Sequence, residues 1–370
     1  MSIFVIALFS FLGFVVVYVV ATLIARLVTL DTGYYTGPRD LRTVPTVAIV
    51  TGASSGVGTQ TAREFAADGA HVFLCDRDAA RSERAAAQIR AATGSTRVTC
   101  VPCDLADLRS VRECALRLLR AVAELRAAEA TKAEAEAAGQ EPAKPWRVLL
   151  CNNAGVMAVP LCASAQGYEM QYAVNFLGHF ALTANLLPLL LDPAVADARV
   201  LTLSSLAHHW VHAFDFAAVR ADTIDARTFD SRNVGYAQSK LADVCLTTEL
   251  VRRLGARPGA HLAAYSIDPG NVMTNLARHM PLYFFVLGAP ILYLCQKTCT
   301  QGAQTTITCA LSDRADLTSG GFYSDRRLSQ PSLLAQDKNL ARRLWNLAFE
   351  QARPFLTQEA TSILSEVSDV

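Results

Sequence analysis

Charge is scarce in this chain. Asp, Glu, Lys and Arg make up 18% of its 370 residues, below the roughly 25% usual in soluble domains. Neither sign is in excess, with 34 basic residues against 33 acidic ones. A global basic field for nucleic acid is therefore excluded, and so is a solvating acidic tail. The 20 Gly and 14 Pro are too few for a collagen-like chain, and a 52% hydrophobic content excludes disorder. There is no internal repeat and no Asn-X-Ser/Thr sequon. The ten cysteines lack the spacing of a small secreted disulfide framework, so they read as reduced thiols of a cytosol-facing protein.

The longest uncharged run is residues 3–25, rich in Ile, Val, Phe and Leu. At about 1.5 Å per residue it spans roughly 34 Å, enough for a hydrocarbon core of about 30 Å. A cleaved signal peptide needs a basic leading region and a shorter apolar stretch. Neither is present, so residues 1–30 read as an uncleaved membrane anchor. Arg26, Arg39 and Arg42 follow the run and no Lys or Arg precedes it, which places the rest of the chain in the cytosol as a single-pass protein.

Residues 31–45 hold Gly33, Gly37, Pro38 and Pro45 and read as a linker. Beyond them, apolar β-branched runs at 47–50, 72–74, 98–101, 148–151, 200–203 and 263–267 alternate with helical stretches. That order predicts βαβ units and a doubly wound α/β fold, its parallel sheet covered on both faces. The Ala-, Glu- and Lys-rich stretch at about 121–145 predicts a solvated helical extension of one crossover, ended by Gly139 and Pro142. A helical stretch at 340–352 and a polar tail close the chain, so 331–370 is expected as a C-terminal helical tail after a domain spanning 46–330.

The first strand runs into Thr51-Gly52-Ala53-Ser54-Ser55-Gly56-Val57-Gly58 and then a helix. Gly52 permits the tight turn, Gly56 lets backbone approach a pyrophosphate, and Gly58 lets helix and strand pack closely. The phosphates would sit at a helix N-terminus. A P-loop would need Lys-Ser/Thr after the last Gly, and that pair is absent. At the end of the second strand, Asp76 suits the ribose 2′-hydroxyl of NAD, whereas Arg77 suits the 2′-phosphate of NADP. Asp76 stands nearer the strand end, so NAD is favoured and NADP stays open. Asp104, ending the third strand, is placed either to touch an adenine or to cap a helix.

Tyr236 and Lys240 lie four residues apart, on one helical face. An unperturbed phenol, with a pKa of about 10, is a poor proton carrier at neutral pH. A neighbouring ammonium favours phenolate and is expected to lower it. Asn152-Asn153-Ala154-Gly155, Asn175 and Ser204-Ser205 fall at strand C-termini or adjoining helices, where such sheets bind ligands.

With TGASSGVG, CDL, NNAG, AVNFLGHF, LSS, YAQSK and PGNVMT in this order, the chain resembles the short-chain dehydrogenase/reductase family from about residue 46 to 323. NNAGVM, SSLAHH and YAQSKLA look most like its membrane-anchored, retinol-dehydrogenase-like branch. The resemblance implies a Rossmann sheet of about seven parallel strands and hydride transfer between a nicotinamide and an alcohol/carbonyl pair. It makes Tyr236 the general acid/base, with Lys240 tuning it and holding the nicotinamide ribose. Ser205 bonds the substrate oxygen and Asn175 supports a relay water. The cofactor is held by Gly52, Ser54, Ser55, Gly56, Val57, Gly58, Asp76, Arg77, Asp104, Leu105, Asn153, Ala154 and Gly155, and by Pro269, Gly270, Val272 and Thr274 at the nicotinamide. A lipophilic alcohol or carbonyl compound of the retinoid, steroid or isoprenoid class is the implied substrate, with a possible homodimer and an endoplasmic reticulum membrane as further expectations. Ser205 and Tyr236 stand 31 positions apart, more than in many family members, so the intervening loop is expected to cap the pocket.

Other clusters read differently. His208, His209 and His212 lack a carboxylate or Cys to complete zinc spacing and read as pocket-loop histidines, so no metal is expected. Cys100 and Cys103 have redox spacing at a buried strand end and read as core or loop thiols. Residues 280–295 are uncharged but short for a span, and read either as a buried lid helix or as an apolar entrance touching the bilayer. Two rival functions stand beside the leading one. The first is a catalytically silent nucleotide-sensing scaffold, and the second a reductase of soluble carbonyl metabolites.

Overall fold

The computed structural model describes residues 13, 16–20, 33–136, 145–255, 261–272, 274, 276 and 296–367. The six apolar runs become six strands: β1 (Thr46–Thr51), β2 (His71–Asp76), β3 (Val98–Pro102), β4 (Trp146–Asn152), β5 (Val195–Leu203) and β6 (Leu262–Asp268). Every residue of β1 and β6 is buried, as a sheet covered on both faces requires. Two three-residue strands follow, β7 (Phe322–Ser324) and β8 (Arg327–Ser329). The order is β3-β2-β1-β4-β5-β6-β7-β8. β1 to β7 are parallel and β8 is antiparallel to β7. The sheet therefore has eight strands rather than about seven. Three residues are too short to show alternation in sequence, and the hairpin turns on Asp325 and Arg326, both at positive φ, without the glycine that normally marks such a turn.

Helices cover the two faces. On one side lie α1 (Gly56–Asp68), α2 (Ala79–Thr93) and α6 (Cys299–Leu311). On the other lie α3 (Leu108–Glu136), α4 (Gly178–Asn185), α5 (Gln238–Leu250), α7 (Lys338–Ala352) and α8 (Gln358–Glu366). The Ala-rich stretch continues α3 as far as Glu136, with most of residues 121–131 exposed or half-buried; Gly139 and Pro142 lie outside the described residues.

The end of the chain differs from the polar tail expected. Ala360, Leu364 and Val367 recur at helical spacing and are buried in the same core as α5 and α7. Trp345 of α7 meets Phe180 edge-on at 5.2 Å, and the Arg253 guanidinium lies 5.2 Å from the Trp345 ring while donating 2.7 Å to the Val367 carbonyl.

The stretch before β1 is a docked strap. The Tyr35 N–H donates to Gln304 of α6, and Arg326 in the β7–β8 turn donates to the Tyr34 carbonyl. Further on, Arg39 pairs with Glu64 and Asp68, and the Leu41 N–H donates to the Asp68 carbonyl at the end of α1. The strap thus descends the α1/α6 face from the C-terminal to the N-terminal ends of the strands, because β1 must be entered from below. Of the apolar run 3–25, only residues 13 and 16–20 are described, and they are helical. Among the described residues no helix is long and apolar enough to cross a membrane.

Because α7 is part of the core, Trp345→Ala is expected to cost about 3–5 kcal/mol, read as a lower midpoint in urea unfolding. A loss below about 0.5 kcal/mol would show the helix to be peripheral.

Candidate active site

The strand order reverses between β1 and β4, so the loops after these strands diverge and open a crevice at their C-terminal ends. The glycine loop lies on one side. Gly52 has φ +65°, and a Cβ there would lie 2.8 Å from Ala154 Cα. At Gly58 a Cβ would lie 2.5 Å from the Gly52 carbonyl oxygen. Both contacts are too close for any side chain: at Gly52 the loop and the Asn153–Gly155 turn meet backbone to backbone, and at Gly58 the start of α1 packs against the loop itself. Ser55 precedes α1 without capping it through its side chain, which leaves N-terminal N–H groups facing the crevice. Val57 is buried beside Val272 and the start of α6. Thr274 faces Gly56 from the opposite lip.

Asp76 is buried at the end of β2. Its Oδ1 accepts 2.9 Å from the Ser54 hydroxyl, while its Oδ2 is buried with no partner. Burial pushes this carboxyl up, against hydrogen bonds from Ser54 that pull it down. An unpartnered acceptor at this point fits a ribose hydroxyl. Arg77 is exposed. Asp104 does not cap α3: its Oδ1 takes the Ala106 N–H in a local turn, and Asp107 occupies the cap position, accepting from the Arg109 N–H at 3.0 Å. Leu105 is buried beside it.

Tyr236 sits in a widened π-type turn, Ser231–Ala237, that leads into α5. Asn175 occupies a second such turn, Tyr172–Leu177, before α4. π-Type turns are frequent at functional sites. Ser205 stands beside the Tyr236 phenol and favours its ionised form, and Lys240 Nζ lies 5.9 Å from the centre of its ring. The Asn175 side chain receives the Val156 N–H at 2.8 Å and donates to the Val156 carbonyl and the Ser239 hydroxyl. It thereby ties the Asn153–Gly155 turn to the helix carrying Tyr236 and Lys240. Pro269 and Gly270 follow β6, with Lys297 against Gly270 and paired to Asp325.

The expected lowering of Tyr236 is reversed. Burial pushes the phenol up; Lys240 and Ser205 pull it down, and Asp268 and Asp243 push it up again. Sequence reasoning did not single out Asp243. Lys240 Nζ donates 2.7 Å to the Leu203 carbonyl and 2.9 Å to Asp243 Oδ2, with both side chains buried. Burial drives the Asp243 carboxyl up to about 7, although Lys240 pulls it down. Its spacing, three residues beyond Lys240, is the one signal the sequence carried.

Two more supports, His179 and Asp268, went unread, and His208, read only as a pocket-loop histidine, has a specific role. His179 Nδ1 donates 2.7 Å to the Asn175 carbonyl, so its Nε2 accepts from the Thr51 hydroxyl at 2.9 Å. Thr51 Oγ1 in turn accepts the Asn153 and Ala154 N–H groups. Burial drives His179 down to about 3. His208 donates from Nδ1 to the Ser205 carbonyl and accepts the Ser332 N–H at Nε2, so both ring nitrogens are committed to backbone. Asp268 holds the Leu206 N–H and the Ser324 hydroxyl, joining the ends of β5, β6 and β7.

Asp243→Asn keeps a hydrogen-bond acceptor for Lys240 but removes an anion that raises Tyr236. The acidic limb of kcat/KM for alcohol oxidation is expected to move down by about one pH unit. A profile that stays in place would show that Asp243 carries no charge while the enzyme works.

A family model described as short chain dehydrogenase matches residues 46–128. Retinol dehydrogenase 11 of Mus musculus is 35% identical over 302 residues, covering 82% of this chain and 84% of that one. Retinol dehydrogenase 13 of Mus musculus is 36% identical over 302 residues, covering 80% of each. Among solved structures, an uncharacterized protein from Mycobacterium Paratuberculosis superposes with a TM-score of 0.58 at 32% identity, over 84% of this chain and 93% of that one. The RhlG/NADP active-site complex of Pseudomonas aeruginosa gives 0.53 at 25% identity, over 77% and 96%. With such relatives along most of its length and this crevice between β1 and β4, the chain belongs to the retinol-dehydrogenase-like branch of the short-chain dehydrogenase/reductase family, and is an NAD(P)-dependent oxidoreductase acting on alcohol donors.

Proposed function

We propose that the chain is a membrane-anchored enzyme that interconverts a lipophilic alcohol and its carbonyl compound, of the retinoid, steroid or isoprenoid class. The observation that carries this reading is the buried Tyr236 phenol beside Ser205, with Lys240 Nζ 5.9 Å from its ring centre, at the mouth of the glycine-loop crevice. Ser205 and Tyr236 hold the substrate oxygen between two hydroxyls. In the oxidative direction Tyr236 takes the hydroxyl proton as phenolate, and in the reductive direction it returns that proton. Two of the three Lys240 N–H groups go to Leu203 and Asp243, leaving the third for the nicotinamide ribose. Asn175 fixes the floor of the site, and with it the place of a relay water.

A nicotinamide cofactor, when bound, accepts or supplies the hydride. The N–H groups of the Gly52–Gly58 loop, with Ser54, Ser55 and Val57, would hold its pyrophosphate. Asp104 and Leu105 would meet the adenine, Asn153, Ala154 and Gly155 would line the middle, and Pro269, Gly270, Val272 and Thr274 would hold the nicotinamide end. The unpartnered Asp76 Oδ2 favours NAD, while Arg77 would have to swing from solvent to receive a 2′-phosphate.

The relatives' names, retinol dehydrogenase, support the retinoid end of the substrate class. The uncharged run 3–25 supports the single-pass anchor in an endoplasmic reticulum membrane, with the domain in the cytosol. So does its described part, where Val16, Val17, Val19 and Val20 are all exposed on one short helical stretch.

Tyr236→Phe is expected to lower turnover on a retinoid-class alcohol by about 10²- to 10⁴-fold while NAD(H) binding, followed by fluorescence titration, persists. Retained turnover would remove Tyr236 from the proton step. A wild-type enzyme that turned over only water-soluble carbonyls would move the substrate to the soluble class.

A further inference from the structure

We propose that the catalytic face of the domain is seated on a lipid bilayer, with Leu206, Trp210 and Leu333 as the side chains that enter it. The inference rests on the membrane-anchor reading and adds which face meets the membrane. The first observation is the path of the strap. It begins at Tyr34 and Tyr35, against the β7–β8 turn and α6, level with the C-terminal ends of the strands. It reaches the opposite end only at Arg39 to Arg42, on the last turn of α1. The apolar run therefore connects to the catalytic end of the domain, not to the far end.

The tether is short. Residues 26–33 separate the run from the docked strap, and eight residues reach at most about 28 Å. A domain of this size is roughly 50 Å across, from a radius of gyration of about 19 Å. The tether cannot stretch around it, so the far end of the sheet cannot be turned to the membrane.

The second observation is where large apolar side chains remain in solvent. Among the described residues of the domain they are Tyr34 (49% exposed), Leu206 (51%), Trp210 (57%), Leu328 (55%) and Leu333 (88%). Tyr34 marks the upper end of the strap, and Leu328 lies on the edge hairpin. Leu206 directly follows Ser205 and Trp210 ends the same helical turn, Leu206–Trp210, and Leu333 is fixed near them because the neighbouring Ser332 N–H bonds His208. None of these five lies at the N-terminal ends of the strands. An indole and two leucines on one rim are the chemistry that an acyl-chain boundary accepts. A lipophilic alcohol leaving the bilayer at this rim arrives beside Ser205.

Tryptophan emission tests the docking. The chain has three tryptophans, and Trp146 and Trp345 are only 7% and 3% exposed, so contact quenching reports Trp210. The full chain is reconstituted into phosphatidylcholine vesicles with and without brominated acyl chains, and flotation is measured in parallel. The expected result is co-flotation with quenching that disappears in Trp210→Phe and returns when Leu333→Trp is added to that variant. Protein that floats but is not quenched in either background overturns the docking and leaves the anchor standing. Protein that does not float overturns the anchor, and the docking with it.

Discussion

One buried hydroxyl sets the geometry on which the site depends. Thr51 ends β1, and its Oγ1 accepts the N–H groups of Asn153 and Ala154 after β4. Its own proton goes to His179 Nε2, and His179 Nδ1–H goes to the Asn175 carbonyl. The donors and acceptors close only if His179 is neutral with its proton on Nδ1, and burial holds it in that form. Two neighbouring strands whose loops must diverge are thus pinned at the point of divergence. The same chain fixes the turn that carries Asn175, and Asn175 reaches across to Ser239 beside Lys240. Cofactor crevice and proton-transfer residues are registered to one another through a single node.

The electrostatics of the reacting phenol are a contest rather than a simple lowering. Desolvation opposes phenolate, and Lys240 and Ser205 favour it. Asp243 and Asp268 oppose it, and each also serves a structural purpose: Asp243 holds the Lys240 ammonium, and Asp268 joins three strand ends. The oxidised nicotinamide ring is cationic, so a cofactor bound here would tip the balance toward phenolate. Such a charge would act in the same direction as Lys240 and Ser205.

Much of this was legible in sequence, for identifiable reasons. β1, β2, β4, β5 and β6 are apolar runs buried on both faces over most of their length, and such burial leaves a continuous hydrophobic signature; β3, at the sheet edge, is buried only at Val98 and Val101. The glycine loop and the Tyr236/Lys240 spacing are dictated by close approach and by helical geometry, and both survive in one dimension. β7 and β8 were illegible because three residues carry no periodicity. His179 and His208 were illegible in role because their partners lie up to 128 positions away, such as Thr51 for His179, whereas Asp243 stands three residues from Lys240 and was missed because its burial is not visible in the sequence. Asp104 was ambiguous because an acidic residue near a helix start serves a turn or a cap equally well, and only the structure gives the cap to Asp107.

The strap links the fold to the setting in which the enzyme works. A parallel sheet is entered from the end opposite its ligands, so a segment leading into β1 ordinarily arrives at the face away from the site. Here the chain first docks at the catalytic end and then runs the length of α1, held by Arg39 on Glu64 and Asp68. Those ion pairs are partly buried at their carboxylates, and burial pushes Asp68 up while Arg39 pulls it down. A segment serving only as a spacer gains nothing from such contacts. Their consequence is geometric: if residues 3–25 form the proposed anchor, these contacts set the point from which it leaves the domain, and would turn the Ser205 rim, rather than the back of the sheet, toward the lipid.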